Sequence, residues 1–407
     1  MAHRFLNRLK DIKEKTDTMA AYLPYETVYY EKTADFYHIA KYAVLIFLLV
    51  FVLISGLFFH KELRAENFRY LFKYVYVDPV STSANYKDIY YNSDENTAFL
   101  LYKGDLAVMG DGYIKLYNIA GRNIMTSKIN GEKNLCDNNG KYLITYYPGT
   151  NKISIFNSFS KLYEIDFEYP IMSVSSGKDG GFAVITKDAD YSCAVYVYND
   201  AFKSVYSWKS NEKYAFSSAV SPNGKNAAIL SYAANGGDFS RELSVRNIYK
   251  DRVELLSVSE GGMPVATGFF DDSSFFALYT DGIEFYNEKF KSVFSENFNE
   301  DVLMYRVFDE CIAVLTGKTK GTPFITVYQN DGHKKFTESF PYQVLDISVL
   351  NDRIYLLTDS AVYTVSGGEK KSLPIEKGAR AMFVFDDGNV LVCYEERTSL
   401  LKLSDFK

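Results

Sequence analysis

Histidine is almost missing from this chain. Of 407 residues four are histidine, and only His333 lies beyond position 60, in the polar run Asn330–Lys335. Nucleophilic catalysis of the Ser–His–Asp or Cys–His kind needs an oriented imidazole to take the nucleophile's proton. A turn-tip histidine flanked by lysines is not held that way, and histidine-rich metal sites fall on the same ground. The four cysteines, Cys136, Cys193, Cys311 and Cys393, are scattered and form no C-x-x-C, so a zinc knuckle or a thioredoxin-type pair is excluded. Cys311 and Cys393 sit in matching apolar strands and read as small buried hydrophobes, while a Cys136–Cys193 pair stays open. Asp188-Ala-Asp190 opens like a calcium loop, but Cys193 replaces the glycine of the sharp turn and Asn199 the bidentate glutamate. Gly317–Phe324 holds glycines and lysines without Walker spacing. No catalytic residue, metal or cofactor is expected.

A basic excess is also missing. Residues 60–407 carry 38 Lys/Arg against 45 Asp/Glu, a net charge of −7. Nucleic-acid affinity rests on clustered cations that neutralise phosphates, so nucleic acid is set aside as a partner. What the chain has in quantity is aromatic side chains, 35 Tyr and 31 Phe against the single Trp208. Such residues fit the half-buried faces of twisted sheets, which points to an all-β body; a tyrosine-lined carbohydrate surface is the lesser reading.

One run breaks the β pattern. Tyr42–Phe59 is eighteen residues without a charge, long enough to cross the hydrocarbon core as a helix. A cleaved signal peptide fits poorly, because the run starts after 41 residues and no small-x-small site follows. The tail 1–41 carries seven Lys/Arg, which favours tail-inside, although Lys61, Arg64, Arg69 and Lys73 crowd the other flank. The expectation is a signal anchor with a cytoplasmic N-terminus and an extracytoplasmic body. Within the tail, Phe5, Leu6, Leu9 and Ile12 fall at the spacing of a short amphipathic helix, and 60–73 reads as a linker.

Beyond residue 74 one local pattern recurs eight times: a Gly, Asn or Asp turn, an apolar strand, a loop, then a strand often ending in aromatic-Asn. The endings fall at Asn118, Asn157, Asn199, Asn247, Asn287, Gln329, Val365 and Leu403. A period of about 40 residues is that of a four-stranded propeller blade, which must stack on its neighbours to bury its faces. The fold expected for 74–407 is an all-β propeller of eight blades, with seven as the alternative. Its inner strands should be 97–102, 133–137, 171–176, 216–221, 265–270, 304–309, 344–350 and 380–386. The final repeat runs out of sequence before a fourth strand. Upstream lie two strand-like segments, Phe72–Val77 and Tyr86–Tyr91, and one of them should complete that blade and close the ring.

Two features bear on function. The fourth repeat has the longest insertion, Ala233–Arg241, so Asn235, Asp238, Phe239 and Arg241 are the candidate binding residues. The turn Ser221-Pro222-Asn223-Gly224-Lys225 resembles the S-P-D-G-K signature of bacterial extracytoplasmic propeller repeats. The layout of tail, apolar run and propeller resembles a family of single-pass membrane proteins of Gram-positive bacteria with no assigned activity. That resemblance implies architecture and placement and carries no site residues. The single tryptophan separates the chain from eight-bladed quinone dehydrogenases, whose blades resemble one another through a tryptophan docking motif. The expected role is a non-enzymatic protein-binding or scaffolding module at the cell envelope. The alternatives are a binder of glycan, peptidoglycan or a small ligand, and behind these a hydrolase with paired channel carboxylates.

Overall fold

The computed structural model describes residues 25–58 and 86–406, apart from Asp111, Ile119, Asn130, Glu132, Phe159, Asp179, Gly236, Gly237, Thr319, Lys320 and Asp352. Two compact units result, 1–75 and 76–407. In the first, helix α1 runs Tyr25–Phe58, well ahead of the apolar run that begins at Tyr42. The extension has a local cause: no glycine or proline interrupts 25–41, and Pro24 precedes the first turn. Its stretch Thr33–Ile54 is long and apolar enough to cross a membrane, and none of it is buried against the protein. The amphipathic segment 5–12, the linker 60–73 and the strand-like Phe72–Val77 lie outside the described residues.

The second unit contains eight sheets, seven of four strands and one of three, each antiparallel and in simple sequence order. The innermost strands are β1 (Ala98–Tyr102), β5 (Leu135–Asn138), β9 (Ile171–Ser176) and β13 (Lys213–Val220), then β17 (Pro264–Phe269), β21 (Asp301–Val307), β25 (Asp346–Leu350) and β29 (Ala381–Val384). These agree closely with the spans expected from the repeats, and the count of eight is the observed one. Apolar residues form eight clusters, and each draws on two neighbouring blades; Ile229 of blade four, for example, packs with Val195 and Trp208 of blade three. A second strand is therefore covered on both faces. This is why β10 (Phe182–Thr186) and β18 (Phe275–Tyr279) are apolar without alternation and buried throughout.

The aromatic-Asn endings have a structural purpose. Oδ1 of Asn118 accepts from the backbone N–H of Ala120 and Arg122 at 3.1 and 2.9 Å, and Asn199 and Asn287 repeat this on their own turns. The asparagine caps the hairpin into the outermost strand, which is the Asx-turn use of that residue. In the Ser221–Lys225 turn, Ser221 Oγ accepts from Asn226 N and Asn223 Oδ1 from Lys225 N, both at 2.9 Å, while Gly224 takes φ +66°.

The last blade has three strands of its own, β29, β30 (Val390–Cys393) and β31 (Thr398–Leu401). Segment 86–95 takes the fourth place. Tyr90 bridges antiparallel to Arg397, Thr398 N donates to Ile89 O at 2.9 Å, and Tyr91 N to Glu396 O at 3.0 Å. The Tyr91 hydroxyl reaches the carbonyls of Tyr394 and Arg397, and the Arg380 guanidinium those of Asp94 and Glu95. The ring is closed by this N-terminal segment, which meets the start of β31 through a single antiparallel bridge and the hydrogen bonds around it.

All four cysteines are free thiols, and burial pushes each of them above its ordinary range, Cys311 to about 11. The thiolate is the reactive form. Native protein at pH 8 should therefore incorporate little maleimide over minutes, and all four sites should label promptly in denaturant. Fewer than four labelled sites after denaturation without reductant would reveal a disulfide.

Candidate functional site

Each blade starts its inner strand on one face of the ring and ends it on the other. The first and third hairpins of every blade lie on what we name the turn face. The second hairpin and the link to the next blade lie on the opposite, connection face.

Blade four departs from its peers. Strands β14 (Asn226–Asn235) and β15 (Asp238–Asn247) are ten residues each, and the outer β16 (Arg252–Glu260) is nine. The insertion is not a loop: the ladder continues to the pair Asn235↔Asp238, the last before the tip. Asn-Gly-Gly-Asp is the composition that a two-residue hairpin turn takes. The four candidate residues thus share one hairpin end on the connection face, with different surroundings. Phe239 is 54 % exposed. Arg241 is buried: Nε donates to Ser259 Oγ at 2.8 Å, Nη1 meets the Asp281 carboxylate, and Cζ lies 3.8 Å from the Tyr279 ring centroid. Its charge clamps the hairpin to blade five. Nothing local in the sequence announces this, since Asp281 lies 40 residues downstream.

The central channel encloses about 1430 Å³, and residues of blades two to seven line it. Its wall is hydroxyl-rich: Ser175 Oγ and Ser218 Oγ stand 3.4 Å apart, and Ser217 Oγ accepts from Thr267 N at 3.1 Å. Lys178 of blade three reaches Asp309 of blade six at 3.1 Å, bridging the channel at the turn face. Asp137 lines the same space and accepts from Ser176 N at 2.6 Å and Asn138 N at 2.8 Å. Burial pushes its carboxyl above the ordinary range, against the pull of those donors. An acid whose folded pKa is raised is penalised once ionised, so stability is lost as pH rises from the unfolded value through the folded one. The stability difference between wild type and Asp137→Asn should therefore shift toward wild type between pH 7 and pH 3. Urea titrations at the two pH values measure it; an unchanged difference would contradict the assignment.

The connection face carries exposed apolar groups at the starts of inner strands and beside the second hairpins: Met172, Tyr214, Met263, Leu303, Phe324 and Tyr342. Tyr214 stacks on its cross-strand partner Tyr232 at 5.5 Å, and Tyr342 on Tyr363 at 5.2 Å. Between β17 and β21 lies a groove of about 440 Å³ lined by Val265, Leu303, Met304 and Tyr305. The sequence reading missed this rim; the signal was an apolar residue placed where each outer-to-inner link turns back into the ring. Among the described residues no three His, Cys, Asp or Glu side chains come together as a metal-holding group.

The family profile of the family of unknown function DUF5711 matches residues 79–403, from before the closing strand to the end of the last blade. The chain belongs to that family. The DUF5711 match begins beyond α1, so the apolar helix lies outside it. No curated protein matches the chain. Among solved structures it is similar to BamB from Moraxella catarrhalis, at 9 % identity and a TM-score of 0.50, over 78 % of this chain and 99 % of that one. It is also similar to Sqt1 from Saccharomyces cerevisiae, at 10 % identity and a TM-score of 0.53, over 78 % of this chain and 98 % of that one. At such identities the likeness of this DUF5711 member to either shows the propeller fold alone.

Proposed function

We propose that this DUF5711 protein is a membrane-anchored, non-enzymatic protein-binding module of the cell envelope. In this reading α1 spans the membrane as an uncleaved anchor, the N-terminal tail is cytoplasmic and the propeller extracytoplasmic. The apolar stretch Thr33–Ile54 supports the anchor. The observation that carries the binding role is the connection face, where a rigid ring leaves aromatic and aliphatic side chains in water around the channel mouth. The Phe239 end of the blade-four hairpin belongs to that face and is its proposed contact, with Arg241 holding the hairpin in position.

The test is a crosslinked pull-down from native cells with the tagged full chain, set against a control of residues 1–75. A discrete set of envelope proteins that needs the propeller supports the proposal. Recovery of the same proteins by both forms, or of none, overturns it. The stacked pairs Tyr214–Tyr232 and Tyr342–Tyr363 favour a second reading, a glycan or peptidoglycan binder. Co-purifying wall sugar in place of protein would establish that one.

A further inference from the structure

We infer that the connection face, from blade three to the start of blade six, docks a basic segment of a partner protein that also carries apolar side chains. The inference rests on the protein-binding reading above and adds the surface and the chemistry of what it holds.

Three observations carry it. Exposed apolar groups are unevenly divided between the faces: Met172, Tyr214, Met263 and Leu303 stand in water on this sector of the connection face. The turn face of the same blades exposes Tyr249, Val253, Val293 and Val307, of which only Val307 stands on an inner strand. A binding surface, unlike a scatter of single exposed residues, collects apolar area in one place. Beside Leu303 the 440 Å³ groove between blades five and six, lined by Val265, Val302, Met304 and Tyr305 and farther along by Arg306, offers a recess for an apolar side chain.

The second observation is electrostatic. Asp190, Glu212, Glu260 and Asp301 are exposed on the links and hairpins of this sector, and none forms an ion pair among the described residues. The cations beside them are already engaged: Lys209 with Asp188, Lys213 with Glu242, and Arg241 with Asp281. Lys187 and Lys318, the latter next to the register partner of Asp301, stay unpaired there among the described residues. The sector therefore presents net negative charge interleaved with apolar groups. The turn face mixes signs, with Lys225 and Lys289 beside Asp271 and Asp272.

The third observation separates occupants. An anionic lipid surface would be repelled by these carboxylates, and an acidic or neutral peptide would leave them uncompensated. A segment with Lys or Arg between Leu, Ile or aromatic residues matches both properties, its stems lying on the tyrosines and its charges over the acids.

The experiment uses the full chain in native cells, with a photo-reactive benzoylphenylalanine at one position at a time. The positions are Tyr214 and Met263 on the connection face and Tyr249 on the turn face. Crosslinked peptides are identified by mass spectrometry. The expected result is crosslinks from the first two, to partner segments rich in Lys/Arg and apolar residues, and few from Tyr249. Glu212→Lys with Glu260→Lys and Asp301→Lys should lower the Tyr214 crosslink yield about tenfold. Lys225→Glu with Lys289→Glu on the turn face should leave it unchanged. Crosslinks confined to Tyr249, acidic partner segments, or a yield indifferent to the triple reversal would overturn this inference while leaving the binding role intact. Absence of any protein crosslink from all three positions, together with an empty pull-down, would overturn both.

In parallel, the full chain in phosphatidylcholine nanodiscs is offered a Lys/Leu peptide, a Glu/Leu peptide of the same apolar pattern, and phosphatidylglycerol vesicles. Preference for the Lys/Leu peptide, weakened about tenfold by salt and by the triple reversal, is the expected outcome. Equal binding of the Glu/Leu peptide, or tighter binding of the vesicles, contradicts it.

Discussion

Replacing Ile89 by aspartate should open the ring and lower the unfolding midpoint of the propeller by about 10 °C. Ile89 has no exposed surface and packs with Tyr91, Leu106, Val108, Tyr117 and Cys393 at the one interface that joins the two ends of the repeat array. Truncating such a side chain to alanine costs about 2–5 kcal/mol, and aspartate adds a buried carboxylate without a partner. The loss is not confined to the pocket. Releasing 86–91 leaves Thr398 N and the carbonyl of Glu396 unpaired and bares β31 as an edge strand. Thermal unfolding followed by circular dichroism reads the midpoint, and limited proteolysis should show early cleavage near residues 86–97. Ile89→Val should cost only about 1 kcal/mol. A midpoint for Ile89→Asp within a degree or two of wild type would mean that the N-terminal strand does not latch the ring.

The second large effect is expected at Asp346, the first residue of β25. Its Oδ1 accepts from Arg306 Nε at 3.0 Å, Arg306 Nη2 at 2.9 Å and Ile347 N at 2.9 Å, while Oδ2 accepts from Met382 N at 3.1 Å. One buried carboxylate thereby ties the inner strands of blades six, seven and eight. Asp346→Ala removes every one of these acceptors and orphans the buried Met382 N–H. The expected destabilisation is about 3 kcal/mol, by urea unfolding. Arg306 is the exposed member of the pair, its side chain 48 % accessible, so Arg306→Ala should cost under about 1 kcal/mol. Equal effects for the two substitutions would show that the ion pair, and not the backbone donors, is what Asp346 contributes.

The residues that the sequence reading placed well are those whose role depends on near neighbours. The aromatic-Asn endings cap a turn within four residues, and the inner strands follow from the period of the repeat. The closing strand could be anticipated from a count, because the eighth repeat lacks one strand and an unpaired edge is costly. The blade-four hairpin shows where such reasoning stops. Read as an insertion, it put Arg241 among the candidate binding residues. The register continues through Tyr232↔Arg241 and Arg241↔Ser259, which sets the guanidinium over Tyr279 and against Asp281 of the next blade. The bridge from Lys178 to Asp309 spans 131 residues and three blade positions, beyond any local pattern.

By itself the sequence determined the repeat, the all-β body, the closing strand and the apolar helix, since periodicity, turn chemistry and apolar runs act over a few residues. The tertiary structure alone decided which of the many apolar and charged side chains remain in water. Met172, Tyr214 and Leu303 are apolar and lie in or beside the expected inner strands, yet they stand exposed. Exposure depends on the height and twist of the blade next door, and that is set by residues roughly a repeat period away.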